Sequence, residues 1–272
     1  MPFSVLMSLY IKEKAEYFKA CMESILAQTV LPDEIVIIED GPISEELEAV
    51  LKGYVEQYPD LIRIVAYTPN RGLGYALNVG VEACSNEIIA RMDTDDICRA
   101  DRFEKQLAEF QKNPDLDIIG SQIDEFEDTP DVIVAKRTVP TTDAAIKAYQ
   151  KRRDSFNHMT VMYKRSMVLK AGNYQPCPLM EDTYLWVRMI QAGATCMNSD
   201  ESLVYARIGK GMYERRGGWS YFLKYKEGRR KVYETGFISR WDYLYTLMVQ
   251  FVVALMPSGL RGVLFKKVLH KG

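Results

Sequence analysis

Short apolar runs alternate with longer amphipathic segments through the first 84 residues, and this alternation limits the fold more than any other feature. Each longer segment carries apolar residues at the three- and four-residue spacing of a helix. The predicted strands are residues 3–9, 34–38 and 61–67, and the predicted helices begin near Ala15, Ser44 and Leu73. Strands that alternate with helices form a parallel sheet with right-handed crossovers. We therefore predict an α/β fold.

The pattern continues beyond residue 84, and 272 residues are enough for one α/β domain with an appendage. Further strands are predicted at residues 88–92, 117–123, 132–135, 159–163 and 202–208. Further helices are predicted at residues 101–112, 143–152, 181–192, 217–235 and 240–256.

Polar side chains follow each of the first four predicted strands. They are Ser8 and Tyr10, then Glu39 and Asp40, then Asn70 and Arg71, and finally Asp93, Thr94, Asp95 and Asp96. Ligands of open parallel sheets bind outside the carboxyl ends of the strands. Packing requires no polar residues at these positions, so we expect them to line a ligand site along one edge of the sheet.

The three aspartates of residues 93–96 are the strongest local signal for a ligand. Carboxylates this close together repel unless a cation or hydrogen-bond donors compensate their charges. Mg²⁺ is commonly bound by one or two carboxylates together with substrate phosphate oxygens. The segment therefore indicates a metal–diphosphate site. The alternative interpretation of the same sequence is an acidic turn that caps the next helix. Spacing does not decide which aspartate contacts the ion.

The chain divides into an acidic body and a basic tail. Residues 207–272 hold 14 of the 35 Lys and Arg but only four acids, whereas the net charge of the whole chain is −2. The last segments combine an apolar helix with a basic amphipathic one, which suits a helix lying at an anionic membrane surface. Packing of these helices on the body or on a second subunit is the alternative. The first residues lack the features of a signal peptide, which favours a cytoplasmic protein.

Cysteine and histidine usage excludes other metal sites. The five cysteines are scattered without a C-x-x-C pair, as expected of reduced thiols. Two histidines are too few for a histidine-rich metal centre.

Several motifs in a fixed order resemble one enzyme family. They are I-L-A-Q-T at 25–29, V-I-I-E-D-G at 36–41, N-R-G-L-G-Y-A-L-N at 70–78, A-R-M-D-T-D-D at 90–96, N-H-M-T-V-M-Y-K-R at 157–165 and M-E-D-T-Y-L-W-V-R at 180–188. Together they resemble the inverting family 2 glycosyltransferases, and are similar to bacterial members that build capsule and O-antigen repeat units. The resemblance covers about residues 3–208. It implies a GT-A fold, a Rossmann-like, mostly parallel sheet flanked by helices, here with a C-terminal helical appendage.

The resemblance implies roles for the residues at the sheet edge. Asp40 would accept a hydrogen bond from uracil, although E-D-G-P stands here where the family more often has D-D-G-S. Ser8 and Tyr10 would line the nucleoside pocket, and Arg71 would neutralise phosphate or orient the carboxylates. Asp93 would contact the nucleotide or support its loop. Asp95 and Asp96 would contact the ribose and a Mn²⁺ or Mg²⁺ ion.

A second group of residues would act on the sugar and its acceptor. Asp182 is the expected general base and Glu181 its helper, since inverting transfer needs a carboxylate to accept the proton of the attacking hydroxyl. Acids in a first helical turn are also favoured by the helix dipole. His158 would lie near the donor sugar or acceptor. Arg215 and Arg216 belong to a glycine-rich basic loop that would either close over the UDP pyrophosphate or meet the lipid pyrophosphate of an acceptor.

The resulting expectation is a metal-dependent hexosyltransferase. It would move a hexose or N-acetylhexosamine from a nucleotide sugar to a lipid-pyrophosphate-linked glycan. The nucleotide is expected to be UDP. Residues 1–208 would form the catalytic domain, and residues 209–272 would associate with the inner face of the cell membrane. No nucleic-acid partner is expected, because apolar residues dominate the last helices.

Other enzyme classes fit less well. A haloacid-dehalogenase-type phosphatase also uses D-x-D after a strand, but its fourth position is typically Thr or Val, whereas this chain has Asp96. A sugar nucleotidyltransferase needs a glycine-rich loop after the first strand, and residues 3–14 contain no glycine. The glycines at 72, 74 and 80 have the wrong spacing for a dinucleotide dehydrogenase.

Overall fold

The computed structural model describes residues 1–209 and 217–256. The strands are β1 (Phe3–Leu9), β2 (Glu34–Asp40), β3 (Ile62–Tyr67), β4 (Ile88–Arg91), β5 (Ile97–Cys98), β6 (Leu116–Phe126), β7 (Ile133–Arg137), β8 (Met162–Lys164) and β9 (Thr195–Arg207). The helices are α1 (Ala15–Leu26), α2 (Glu45–Gln57), α3 (Leu73–Ala83), α4 (Arg102–Lys112), α5 (Asp143–Tyr149), α6 (Arg165–Lys170), α7 (Glu181–Gln191), α8 (Trp219–Glu234) and α9 (Arg240–Leu255).

One sheet organises the described residues. Its strand order is β3-β2-β1-β4-β8-β6-β9-β5, and β7 pairs with β6. The first four strands are parallel, β6 and β9 run in the same direction as they do, and β5, β7 and β8 run against them. This arrangement confirms the predicted α/β fold with a mostly parallel sheet. The carboxyl ends of β1, β2 and β4 meet at one edge, where the predicted site residues lie.

Both faces of the sheet are covered by apolar cores. One core joins β1 and β2 to α1, α2 and α4, and includes the wholly buried side chains of Phe3, Phe18 and Phe103. The other joins the sheet to α3, α6 and α7 around the buried Trp186. Gly80 in α3 allows the closest approach of helix to sheet, since a Cβ there would lie 2.3 Å from Leu6 Cδ1.

The structure corrects several predicted element boundaries. The strand predicted at residues 159–163 is a 3₁₀ turn, His158–Thr160, followed by β8 at Met162–Lys164. The last strand begins at Thr195, seven residues earlier than residue 202, because β9 continues through an irregular stretch of its pairing with β6. Helix α6 and the short β5 were not predicted. The helices predicted at residues 217–235 and 240–256 are present as α8 and α9, and α8 packs on both α9 and α7. Val187, Val232 and Ile238 form a small apolar core in this region. The basic amphipathic helix expected after residue 256 lies outside the described residues.

Candidate functional site

A cavity of about 340 Å³ opens at the carboxyl ends of β1, β2 and β4. Its wall includes five of the predicted site residues, Ser8, Tyr10, Asp40, Asp93 and Asp95, together with Glu13, Asn70, Gly72, Leu73, Leu77, Met92 and Thr94. A larger hollow of about 630 Å³ lies between α1 and α2, but none of the predicted residues lines it. The strand-end cavity is therefore the candidate active site.

Asp40 organises the loop before α3. Its Oδ1 accepts a hydrogen bond from the backbone N–H of Arg71 at 2.7 Å, and its Oδ2 accepts from Gly72 N–H and Asn70 Nδ2, each at 2.9 Å. Gly41 has a φ of 79°, and a Cβ there would lie 2.6 Å from the backbone nitrogen of Asn70. The loop can approach this closely because residue 41 has no side chain.

Arg71 itself points along α3 in this arrangement. Its guanidinium carbon lies 3.5 Å from the centre of the Tyr75 ring, a cation–π contact. Both Arg71 and Asp40 are thus held at the entrance of α3, whose amino end borders the cavity through Gly72 and Leu73. Backbone N–H groups at a helix amino end favour anionic ligands such as phosphate.

Asp93 contacts two side chains from different parts of the chain, Arg91 and His158. Arg91, wholly buried at the end of β4, places Nη2 3.0 Å from Asp93 Oδ1. His158 Nε2 lies 3.0 Å from Asp93 Oδ2. Burial alone would raise the pKa of Asp93, but Arg91 and His158 outweigh burial and hold that pKa below its usual value. Asp93 is accordingly an ionised anchor within the site.

Three further carboxyl groups lie close together at the site, those of Asp95, Asp96 and Glu13. Their pKa values are not lowered by neighbouring side chains in the way that the pKa of Asp93 is. Burial, and then the charge of Asp93, raise the pKa of Asp95 to about 6. Burial and the charge of Asp95 raise the pKa of Glu13 to about 7, although Thr94 Oγ1 donates a hydrogen bond to its carboxylate at 2.9 Å. Burial, and then Asp95 and Asp93, also raise the pKa of Asp96. A divalent cation would relieve this repulsion.

The two predicted metal ligands differ in placement. Asp95 lines the cavity, whereas Asp96 is 3% exposed and is not among the lining residues. Asp96 Oδ1 accepts a hydrogen bond from the backbone N–H of Arg207 at 2.7 Å, and Arg207 Nε donates to the Asp95 carbonyl at 3.0 Å. Arg207 at the end of β9 therefore fixes the turn that presents Asp95.

Asp182 lies across from the aspartate cluster, at the amino end of α7. His158 Nδ1 is 3.6 Å from Asp182 Oδ2, so the imidazole spans Asp93 and Asp182. Asp182 Oδ1 is buried without a hydrogen-bond partner among the described residues. Burial would lower the pKa of Arg91, but the charges of Asp182 and Asp93 outweigh it and raise that pKa. The buried charge of Arg91 thus interacts with both acidic groups.

Glu181 lies beside the cavity entrance. A Cβ at Gly74 in α3 would lie 2.7 Å from Glu181 Cγ, so this side chain crosses the first turn of α3. Burial raises the pKa of Glu181. The amino ends of α3 and α7 therefore meet at the site, one carrying the Asp40 loop and the other Asp182.

The described residues suit a cation that takes part of its ligands from a substrate. They contain no group of three or more His, Cys, Asp or Glu side chains that could hold a metal ion alone. A Mg²⁺-type site with one or two carboxylates and phosphate oxygens needs no such group. Asp95, with Asp96 beside it, fits that requirement.

Some site residues were not predicted, and others lie outside the described residues. Glu13 and Arg91 were missed, although Arg91 had a usable signal, since a charged residue within an apolar strand is rarely buried unless it is paired. Arg215 and Arg216 belong to the part of the chain that the structure does not describe.

Comparison with known proteins supports a common family. A family model described as "Glycosyl transferase family 2" matches residues 4–171. An uncharacterized glycosyltransferase of Haemophilus influenzae is 42% identical, with both chains covered completely. The amylovoran biosynthesis glycosyltransferase AmsE of Erwinia amylovora is 37% identical over 97% of this chain and 98% of its own. An Escherichia coli protein named UDP-Gal:alpha-D-GlcNAc-diphosphoundecaprenol beta-1,3-galactosyltransferase is 35% identical over 99% of this chain and 97% of its own.

Solved structures support the fold. The mannosyltransferase PcManGT from Pyrobaculum calidifontis, in complex with GDP-Man and Mn²⁺, has a TM-score of 0.64 at 13% identity, over 98% of this chain and 75% of its own. S. aureus TarS 1–349 in complex with UDP-GlcNAc has a TM-score of 0.63 at 16% identity, over 99% of this chain and 72% of its own. The family match extends over more than half of the chain, and the resemblance noted in the sequence is confirmed: this protein belongs to glycosyl transferase family 2 and has the GT-A fold.

Proposed function

We propose that the protein transfers a hexose or N-acetylhexosamine from a UDP-sugar to a lipid-pyrophosphate-linked glycan, with inversion at the anomeric carbon. The observation that carries the proposal is His158, which lies between Asp93 on the donor side and Asp182 on the opposite side of the site. The E. coli relative is named for transfer from UDP-Gal to a diphosphoundecaprenol-linked sugar. Surface-polysaccharide assembly is the corresponding process, since AmsE is named for amylovoran biosynthesis.

The donor would occupy the cavity at the strand ends. Ser8 and Tyr10 would contact the nucleoside, and Asp40 would reach the uracil or hold the loop that surrounds it. The diphosphate would lie toward Asp95 and the amino end of α3. Arg71, Arg215 and Arg216 would add positive charge around it. Binding of UDP-GlcNAc by TarS is consistent with this placement, although that likeness extends only to the fold.

Asp95, with Asp96, would hold Mn²⁺ or Mg²⁺ against the diphosphate. The raised pKa values of both carboxyls support this assignment, because the crowded charges need compensation. When bound, such an ion acts as a Lewis acid that stabilises charge on the departing UDP. The Mn²⁺ in the PcManGT complex is a parallel in a protein of the same fold.

Asp182 would act as the general base, with Glu181 helping to hold the acceptor. Its carboxylate would accept the proton of the acceptor hydroxyl while that oxygen forms a bond to the anomeric carbon. The bond between that carbon and the phosphate oxygen breaks, and UDP leaves from the opposite face of the sugar. Arg91, whose charge interacts with Asp182, and His158, whose Nδ1 lies 3.6 Å from Asp182 Oδ2, would hold that carboxylate in position.

The acceptor lipid would place the enzyme at the inner face of the cell membrane as a peripheral protein. No helix among residues 1–209 and 217–256 is long and apolar enough to cross a bilayer. Residues 1–208 would carry the catalytic machinery, and residues 209–272 would meet the membrane.

Asp182→Asn provides the direct test, with Asp200→Asn as the matched control because Asp200 is an exposed acid outside the site. UDP-sugars and a lipid-pyrophosphate glycan would be incubated with each protein in Mn²⁺ and in EDTA. We expect Asp182→Asn to bind UDP as the unmodified protein does but to lose transfer by at least about 100-fold, the contribution of a general base. Near-normal transfer by Asp182→Asn would refute the base assignment.

A further inference from the structure

Helix α9 is packed with its polar residues inward. Asp242 and Thr246 are 8% and 4% exposed, one turn apart on the face toward the body. Arg152 Nε donates to Asp242 Oδ1 at 2.6 Å, and the buried Arg229 Nε donates to Thr246 Oγ1 at 3.2 Å. Asp242 also forms a capping box with Ser239 at the helix start. These contacts determine which face of α9 points away from the body.

The opposite face of α9 is apolar and exposed. Six large side chains, which we call the α9 face, are between 43% and 79% exposed: Trp241, Leu244, Tyr245, Met248, Val252 and Leu255. Their spacing of three, four and seven residues places them along one side of the helix. Contiguous exposed apolar surface of this kind marks an interaction site rather than ordinary surface. The inward polar contacts exclude a simple rotation that would bury it.

We propose that the α9 face docks in the interfacial layer of an anionic lipid bilayer. Tryptophan and tyrosine, which favour this layer, occupy one end of the face. Residues 217–256 carry six Lys and Arg against three acids, and residues 257–272 carry four against none. Positive charge next to an apolar helical face suits anionic lipid. The 16 residues of α9 span about 24 Å at 1.5 Å per residue, which is shorter than the ~30 Å bilayer core, so the helix would lie on the membrane.

Helix α8 packs between α9 and the segment that precedes the active-site helix α7. A Cβ at Gly228 in α8 would lie 2.6 Å from the carbonyl oxygen of Pro178, and Lys231 Nζ donates to the Pro176 carbonyl at 2.6 Å. These carbonyls belong to the segment that leads into α7 and Asp182. A bilayer under α9 would therefore support the element that carries the proposed base. The choice of lipid as occupant rests on the proposed lipid-linked acceptor as well as on charge, but docking can be measured without catalysis.

The test compares a double variant with a matched control in the full chain. Trp241→Glu/Met248→Glu places two charges in the α9 face, and Leu31→Glu/Val132→Glu changes exposed apolar residues elsewhere, which are 54% and 64% exposed. Each protein would be sedimented with vesicles of phosphatidylcholine alone or with phosphatidylglycerol added. We expect the unmodified protein and the control to bind phosphatidylglycerol vesicles, and the α9 variant to bind at least about tenfold more weakly, because two apolar side chains lose their burial. Circular dichroism would show that all proteins are folded.

Three outcomes would overturn the proposal. They are equal sedimentation of the α9 variant and the control, no sedimentation of the unmodified protein with either vesicle, and dissociation of a dimer by the α9 substitutions without lipid. The last would show that a second copy covers the face. Transfer to a water-soluble acceptor separates this proposal from the proposed function: the α9 variant should retain it. If the unmodified protein binds vesicles but transfers no sugar, the proposed function fails while the docking proposal stands.

Discussion

Replacement of Asp95 by Asn should stabilise the metal-free protein while removing its activity. Its pKa is about 6 because of burial and the neighbouring Asp93, compared with 3.8 for an ordinary aspartate. At 1.36 kcal/mol per unit this shift corresponds to about 3 kcal/mol. Solvent screening of a partly exposed group reduces the expected gain to about 1–3 kcal/mol. Asparagine has nearly the same shape but no charge to desolvate.

The sign follows from proton binding. Between pH 3.8 and about 6 the folded protein binds more protons at Asp95 than the unfolded chain does. The destabilisation caused by burying the ionised Asp95 carboxylate is therefore absent in acid and complete above about pH 6. The stabilisation by Asp95→Asn should therefore be full at pH 8 and shrink as the pH approaches 4. Urea unfolding in EDTA at both pH values measures this difference.

Asp101→Asn is the matched control for this prediction. Hydrogen bonding to Lys105 lowers the pKa of Asp101, so its removal should slightly destabilise the protein at pH 8. Mn²⁺ with UDP should raise the unfolding temperature of this control but hardly that of Asp95→Asn. If Asp95→Asn is no more stable than the unmodified protein at pH 8, burial of the Asp95 charge does not destabilise the fold. If Mn²⁺ with UDP stabilises both variants equally, Asp95 does not hold the ion.

Three further substitutions test the packing around the site. Arg91→Met should lower the unfolding free energy by about 3–5 kcal/mol, because it leaves Asp93 and Asp182 without their buried cation; a loss below 1 kcal/mol in urea unfolding would contradict this pairing. His158→Ala should reduce kcat much more than UDP affinity if His158 has the proposed role of orienting Asp182; equal loss in calorimetric UDP binding and in kcat would argue against this role. Gly80→Ala should lower the free energy of unfolding by about 1–3 kcal/mol, because the new Cβ would overlap the side chain of Leu6 in β1. An unchanged unfolding temperature would show that α3 can move away from the sheet.

The order of strands and helices could be predicted because it depends on short-range periodicity. The cavity wall followed from the same reasoning, since parallel strands bring their carboxyl ends to one edge. Asp40, Asp93 and Asp95 therefore meet as expected. The family assignment rested on the order of several motifs, and the family match confirms it.

Contacts between distant segments could not be predicted in this way. Asp93 and His158 are 65 residues apart and meet because β8 runs antiparallel beside β4. The 3₁₀ turn His158–Thr160 carries His158 to the site, whereas the sequence predicted this residue to lie just before a strand at residues 159–163. Arg91 lies within the predicted apolar strand, and the sequence does not show that it is wholly buried beside Asp93.

The C-terminal helices show a second limit of sequence reasoning. Asp242, Thr246 and Gln250 are spaced four residues apart in the sequence, which puts them on one side of a helix. The sequence does not show whether this polar stripe faces solvent or protein. Its partners Arg152 and Arg229 come from other elements, so only the packed structure shows that the stripe faces inward. The membrane interpretation of this region stays a prediction.

The most direct test of the proposed site is the position of Mn²⁺ in crystals grown with UDP, located by anomalous diffraction. We predict one peak in the cavity at the ends of β1, β2 and β4, within bonding distance of Asp95 and of the UDP diphosphate, with Asp182 on the other side of His158. A cavity without an anomalous peak at saturating UDP and Mn²⁺, in an enzyme that transfers sugar in the same buffer, would contradict the proposed mechanism.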